Sequence, residues 1–341
     1  MAPRTESVPT CSRISTPPVD CETNRVPSFP PIRACLFDMD GLLLDTEDIY
    51  TDCINVLLSK YGRPPLPWSI KARLQGRPGP QANELFHSWA KLPISNDEYM
   101  AEYSALQREH FPSAKALPGV EQLLEDLGRT RYWDVAGGGD DDNTRGEVGK
   151  QGAKRVHIAL ATSSHSGNFA LKTAHLTDLF SVFQSPHRVL GDDKRIQPGR
   201  GKPLPDIYLL ALETVNSTLP PGEAPIKPEE CLVFEDSVPG VEAGRRAGMR
   251  VVWCPHPGLK EQYAGREAEV LAGRTGEAGV GVDEHQLGEI DDGWAQYLES
   301  LVDFPYSTYG IVVPPKDVES DPRMKETART ETVAVQDGPK V

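Results

Sequence analysis

The stretch that most constrains this chain is Ala34–Glu47, ACLFDMDGLLLDTE. ACLF reads as a buried strand, and it runs straight into Asp38 and Asp40, with Gly41 behind them. Short apolar runs that end abruptly in polar residues recur: IALA before Thr162, CLVF before Glu235, and RVVWC near Cys254. Each has strand length, and helical patterns lie between them. PGVEQLLEDLG predicts a helix with Gly128 as its stop, and SVPGVEAGRRAGM predicts one that starts on Ser237 as N-cap and ends near Gly248. Buried strands alternating with helices imply an α/β fold, a doubly wound, Rossmann-like parallel sheet covered on both faces. Ligands of such sheets sit beyond the carboxyl ends of the strands. The polar residues at those ends are therefore expected to converge, although they lie far apart in the chain.

Between the first strand and the second, the pattern changes. IYTDCINVLLSKYG and QANELFHSWAKL read as amphipathic helices, and no strand signal appears. Residues 48–112 are read as an inserted α-helical cap domain, and FPSAKALPG returns the chain to the core. The core is expected over 29–47 and 113–312. Within it, residues 134–155, rich in Gly and charge, read as a flexible surface insertion. Residues 1–28 and 313–341, polar and Pro-rich, read as disordered tails.

Two carboxylates at the mouth of one buried strand repel each other, and FEDS places Glu235 and Asp236 at the end of another. Four carboxylates converging without a counter-charge raise one another's pKa and destabilise the fold. A hard divalent cation turns them into an oxygen site, and Mg2+, which keeps some of its waters and binds substrate phosphate, is the natural occupant. Thr162 offers a hydroxyl, with Ser163 and backbone N–H groups beside it, to a phosphate oxygen. Lys202, in RGKPLPDIY, adds a point positive charge. One nucleophilic carboxylate, one acid/base carboxylate, a metal, a hydroxyl and a lysine are what phosphoryl transfer to an enzyme aspartate requires. Taken singly these are weak signals. A lone DxD is more often a solvated loop, a GKP turn only a turn, and a strand-end threonine structural. Their order, DxDG, strand–Thr, GKPxPD, strand–EDS, is what makes the case.

The bulk numbers bound the rest. The chain has 341 residues and a net charge of −14, which argues against a nucleic-acid surface. The six cysteines form no CxxC pair and read as reduced thiols. No apolar run is long enough to span a membrane, and the N-terminus lacks the apolar centre of a secretory signal; its few arginines suit a mitochondrial address, but Glu6, Asp20 and Glu22 count against one, so a cytoplasmic location is expected, and a monomer.

FDMDGLLLDTE, LATSS, GKPLPDIY and VFEDSVPGVEAGRRAGM resemble the motifs of the haloacid dehalogenase-like hydrolase superfamily, over about Arg33 to Gly258. The resemblance implies that Asp38 is the nucleophile and Asp40 first the general acid, then the general base. It implies that Lys202 and Thr162 hold the phosphate. It also implies Mg2+ held by Asp38, the main-chain carbonyl of Asp40, Asp236, and Glu235 directly or through water. A closer likeness, in FPSAKALPG, VLGDD and LVDFPYSTYG as well, is to the pseudouridine-5'-phosphatase-like branch. The expected function is thus Mg2+-dependent hydrolysis of a small phosphate monoester, a nucleoside monophosphate or sugar phosphate, with pseudouridine 5'-phosphate first. Arg77, in the cap segment LQGRPG, is a candidate substrate contact. The alternatives are a sugar-phosphate mutase on the same core, whose branch often has a His where Tyr50 stands, and a non-catalytic scaffold.

Overall fold

The computed structural model describes residues 29–130, 156–276, 288–314 and 316. Its strands are β1 (Ala34–Phe37), β2 (His157–Ala161), β3 (Arg188–Val189), β4 (Cys231–Glu235), β5 (Arg250–Trp253) and β6 (Ala295–Tyr297). They form one six-stranded sheet in the order β3-β2-β1-β4-β5-β6, and every neighbouring pair is parallel. The helices are α1 (Thr46–Lys60), α2 (Trp68–Leu74), α3 (Gly79–Ala90), α4 (Asn96–His110), α5 (Val120–Thr130), α6 (Ser166–Thr173), α7 (Thr177–Phe180), α8 (Asp206–Asn216), α9 (Val238–Arg246), α10 (Pro257–Gln262) and α11 (Glu267–Ala272).

The strands β1, β2 and β4 are buried throughout because helices cover both faces. Side chains alternate between the faces. Cys35 and Phe37 join one apolar cluster with Leu123 and Leu127 of α5, while Ala34 and Leu36 join another with Ile207 and Ala211 of α8 and Val241 of α9. The doubly wound parallel sheet is the one expected from the sequence. The strands β3 and β6 add to the four expected, and each is only two or three residues long at a sheet edge.

From Thr46 to His110 the chain is helical, with no strand. Its helices share a separate apolar cluster: Leu57 and Leu58 of α1, Phe86 of α3 and Tyr99 of α4. The predicted N-cap of α9 is present, since Ser237 Oγ accepts the Gly240 N–H at 3.1 Å. The expected stop at Gly128 is not. The helix α5 runs through it to Thr130. A Cβ there would lie 3.3 Å from Val182 Cγ2, so the residue marks a close approach and not a helix end.

The segments 1–28 and 134–155, and most of 313–341, lie outside the described residues. Val313 packs on the core and Pro314 accepts a hydrogen bond from Arg129 Nε at 3.3 Å, so the chain is still attached to α5 there. Among the described residues no helix is long and apolar enough to cross a membrane.

The helix α9 lies close on β4 and β5 because Gly244 lets it: a Cβ there would stand 2.8 Å from Val251 Cγ2 and 3.2 Å from Val233 Cγ1. Alanine is the better helix former, yet Gly244→Ala is expected to lower stability by about 1–3 kcal/mol through overpacking. Urea unfolding of the two proteins checks this, and a stabilised variant would contradict the packing described.

Candidate active site

The carboxyl ends of β1 and β4 lie side by side, and their acidic residues meet there. Asp38 follows β1, Glu235 ends β4, and Asp236 follows it. One carboxylate oxygen from each lies within 4.8 Å of the others, and all three residues are buried. Gly41, with φ of +82°, passes so close that a Cβ would stand 2.2 Å from Asp236 Oδ2. Only glycine lets the DxDG loop lie against this carboxylate.

Lys202 comes from the loop before α8 and is wholly buried. Its Nζ donates to Asp38 Oδ1 and lies 2.6 Å from Glu235 Oε1. The Glu235 carboxylate is fully engaged. Tyr208 Oη donates to Oε1 at 2.5 Å, while Oε2 accepts from the Asp236 and Ser237 N–H groups at 3.2 Å and from Ser237 Oγ at 3.0 Å. Glu235 thus fixes Lys202 against Asp38.

Asp40 departs from the expectation that four carboxylates converge. Its carboxylate is not among the three that meet, and it is held by donors from three separate places. Thr46 Oγ1 of α1 donates to Oδ1 at 2.6 Å, Ser164 Oγ to Oδ2 at 2.6 Å, and Lys172 Nζ of α6 to Oδ1 at 2.5 Å. If Asp40 ligates a metal, it does so through its main-chain carbonyl, as the resemblance implies.

The electrostatics separate the two aspartates. Burial, reinforced by Glu235 and Asp40 and only partly offset by Lys202, pushes the Asp38 carboxyl up to about 7. Burial, with Glu235, Glu47 and Asp38 nearby, pushes Asp236 well above the carboxylate range. Burial also acts on Asp40, but Lys172, Ser164 and Thr46 outweigh it and hold its carboxyl below the ordinary value. Burial opposes the charge on Lys202, and Asp38 and Glu235 overcome it, raising its pKa. All-oxygen donors and mutual repulsion at Asp38 and Asp236 fit a hard divalent cation such as Mg2+, which removes the repulsion.

Thr162, just past β2, is buried, and its Oγ1 accepts the Ser164 N–H at 3.1 Å. Ser163 Oγ donates to the Gly76 carbonyl at 3.3 Å, across to the segment after α2. Arg77, half-buried beside it, has its Nε on the Arg73 carbonyl at 2.7 Å, a bond within its own segment.

Several residues at the site were not read from the sequence. Gln75 Nε2 donates to Asp236 Oδ2, and its Oε1 is buried without a partner among the described residues. It is a neutral side chain in a Gly/Pro-flanked turn, with no signal to mark it. Glu47 is buried 3.4 Å from Lys71 Nζ, and burial, more than Lys71 offsets, raises its carboxyl pKa. It belongs to the DTE of the opening motif, which was its only signal. Lys172, in FALKT, looks like an ordinary helix-surface lysine.

Comparison with known proteins shows the family. A family model described as a haloacid dehalogenase-like hydrolase matches residues 32–248. A probable pseudouridine-5'-phosphatase of Saccharomyces cerevisiae is 41% identical over 71% of this chain and 90% of its own. The mitochondrial (DL)-glycerol-3-phosphatase 1 of Arabidopsis thaliana is 33% identical over 70% of this chain and 68% of its own. A haloacid dehalogenase-like protein of Agrobacterium tumefaciens, whose crystal structure is known, shares the fold. Its TM-score is 0.52 at 20% identity, over 81% of this chain and 97% of that one. The chain belongs to the haloacid dehalogenase-like hydrolases. Within them it is a phosphoric monoester hydrolase, similar to the pseudouridine-5'-phosphatase branch, and the scaffold alternative falls away.

A metal-free measurement tests the electrostatics. With Asp38 near 7 in the fold and near 3.8 unfolded, the folded chain holds the extra proton between those values. Stability is then lost as pH rises through that window. In EDTA, Tm is expected to be lower at pH 8 than at pH 5, and Mg2+ is expected to raise it more at pH 8. Equal Mg2+ shifts at the two pH values would sink the assignment.

Proposed function

We propose that the protein is a Mg2+-dependent phosphatase that hydrolyses a small phosphate monoester through an aspartyl-phosphate at Asp38. Pseudouridine 5'-phosphate is the first candidate substrate, and glycerol 3-phosphate, suggested by the Arabidopsis relative, is the second. One observation carries the reading: Asp38 stands with the Lys202 ammonium among the carboxylates at the strand ends, while Asp40, two residues on, is held separately by Lys172, Thr46 and Ser164. Two carboxylates held apart in this way can take different tasks.

Asp38, steadied by Lys202, attacks phosphorus as the ester oxygen departs. Asp40 has to take up a proton from solvent before the ester is enclosed; it gives that proton to the departing oxygen and returns to the carboxylate that Lys172, Thr46 and Ser164 hold. It then takes a proton from the water that attacks the phosphorus of the aspartyl-phosphate, and Asp38 is released with inorganic phosphate. Thr162, Ser163 and Lys202 hold the phosphate oxygens. Bound Mg2+ neutralises charge on the nucleophile and the phosphate. Gln75 on Asp236 and Gly76 on Ser163 bring the segment after α2 down onto the strand ends. This enclosure favours a small ester over a phosphoprotein.

The test is hydrolysis of p-nitrophenyl phosphate and a set of phosphorylated metabolites, with and without Mg2+. Asp38→Asn is expected to lower kcat by roughly 10³-fold or more, and EDTA to abolish turnover reversibly. Unchanged turnover in Asp38→Asn would overturn the mechanism. A flat substrate profile would remove pseudouridine 5'-phosphate as the preferred ester and leave phosphatase chemistry standing.

A further inference from the structure

The helix α6 carries a lysine that the chemistry above does not use directly. Lys172 is fully buried, at 0% exposure. An ammonium ion in such a place is costly unless every proton on it finds an acceptor. Here all three do: Asp40 Oδ1 at 2.5 Å, Tyr50 Oη at 2.7 Å and Ser164 Oγ at 2.9 Å. The ammonium also stands 4.5 Å from the ring centroids of Tyr50 and Phe111, which close over it. Three acceptors and two rings from separate elements leave Nζ one position.

The consequence falls on Asp40. Its carboxylate hangs from the same short loop as Asp38, beside a cluster where three carboxylates already gather. A cation there would attract a fourth. Captured in that way, Asp40 could no longer face the departing ester oxygen. Thr46 and Ser164 also hold it, but both are neutral, and Ser164 Oγ is itself fixed by Lys172. Lys172 is the one full charge bonded to Asp40 among the described residues.

We infer that Lys172, seated by Tyr50 and Phe111, is the positioning residue that keeps the Asp40 carboxyl turned out of the metal cluster and toward the leaving oxygen. The inference rests on the phosphatase reading. In the step concerned, an Asp38 oxygen forms its bond to phosphorus as the phosphorus–oxygen bond of the ester breaks, and the electron pair of that bond goes to the alkoxide oxygen. Asp40, which took a proton from solvent before the ester was enclosed, passes it to the same oxygen and is left as the carboxylate that Lys172, Thr46 and Ser164 hold. An alkoxide leaves poorly without that proton, whereas p-nitrophenolate is stable as an anion and leaves without it. A misplaced Asp40 therefore discriminates between esters, and general disorder in the site does not.

The experiment first titrates Mg2+ into the ester-free full chain by calorimetry: Lys172→Met is expected to change the Mg2+ affinity by several-fold, because Asp40 is then free to join the cluster, and an unchanged affinity overturns the inference. It then compares kcat/KM, which reports the steps up to departure of the leaving group, for an alkyl and an aryl ester with Mg2+. Pseudouridine 5'-phosphate is the alkyl probe, or glycerol 3-phosphate where the former is not turned over; p-nitrophenyl phosphate is the aryl probe. Lys172→Met is expected to lose roughly 10²-fold on the alkyl ester, the lower end of what acid catalysis contributes, and less than about fivefold on the aryl ester. Equal losses on both would overturn the inference. Where Lys172→Met does not fold, as judged by its melting curve, Tyr50→Phe decides, because it unseats the ammonium while keeping the charge. It is expected to show the same preference at about five- to tenfold, and no preference overturns the inference. A wild-type protein that turns over neither ester defeats the phosphatase reading itself, and with it this role.

Discussion

The site depends on one buried ammonium. Lys202 has no access to solvent and sits between Asp38 and Glu235 at the point where β1 and β4 end. Removing any one partner of such a group leaves the others as uncompensated buried charges, which is why buried ion clusters are intolerant of change. Glu235 is pinned by Tyr208, by Ser237 and by two backbone N–H groups, so Lys202 inherits its position from the strand and the start of α9. Asp38, the proposed nucleophile, in turn inherits its position from Lys202. The sheet register, Phe37 beside Phe234, places the two strand ends level and makes this possible.

A second lysine repeats the arrangement for the second aspartate. Asp38 with Lys202 and Asp40 with Lys172 are two acid–base pairs whose aspartates stand two residues apart along the chain, yet their environments differ in sign. Around Asp38 burial, with the neighbouring carboxylates, prevails over one lysine, and its carboxyl rises. Around Asp40 the lysine and two hydroxyls prevail over burial, and its carboxyl falls. The same side chain is thereby given two characters by what surrounds it. The loop that joins them can turn this tightly because Gly41 occupies a backbone region that other residues avoid.

What could be read from the sequence follows from where the information lies. Asp38, Asp236 and Lys202 stand in motifs whose order along the chain is itself a signal, and the carboxyl-end rule for parallel sheets predicts their meeting. Whether Asp40 would join the cluster was not legible, because its three donors come from Thr46, Ser164 and Lys172, up to 132 residues away. Lys172 on an amphipathic helix resembles any solvated lysine until the fold shows which face is covered. Gln75 has no charge and no motif. Gly128 misled for a related reason: glycine breaks helices when it is exposed, but here the neighbouring Val182 makes the missing side chain a packing requirement. The two-residue β3 and three-residue β6 are too short to show a periodicity at all.

The contact between Gln75 and Asp236 ties the segment after α2 to the acids proposed to hold Mg2+. Gln75 is the C-cap of α2, and its neighbour Gly76 lies against Ser163 and Ser237. The same segment of chain therefore touches the end of β2, the end of β4 and an acid expected to bind Mg2+. On the far side of α2, Trp68 stacks on His256 just beyond β5, at 4.7 Å between centroids, so the helix is seated on the core at both its ends. The link between this segment and the acid runs through Gln75, whose Nε2 donates to Asp236 Oδ2 while its Oε1 is buried without a partner among the described residues, a side chain that no charge pattern in the sequence would have singled out.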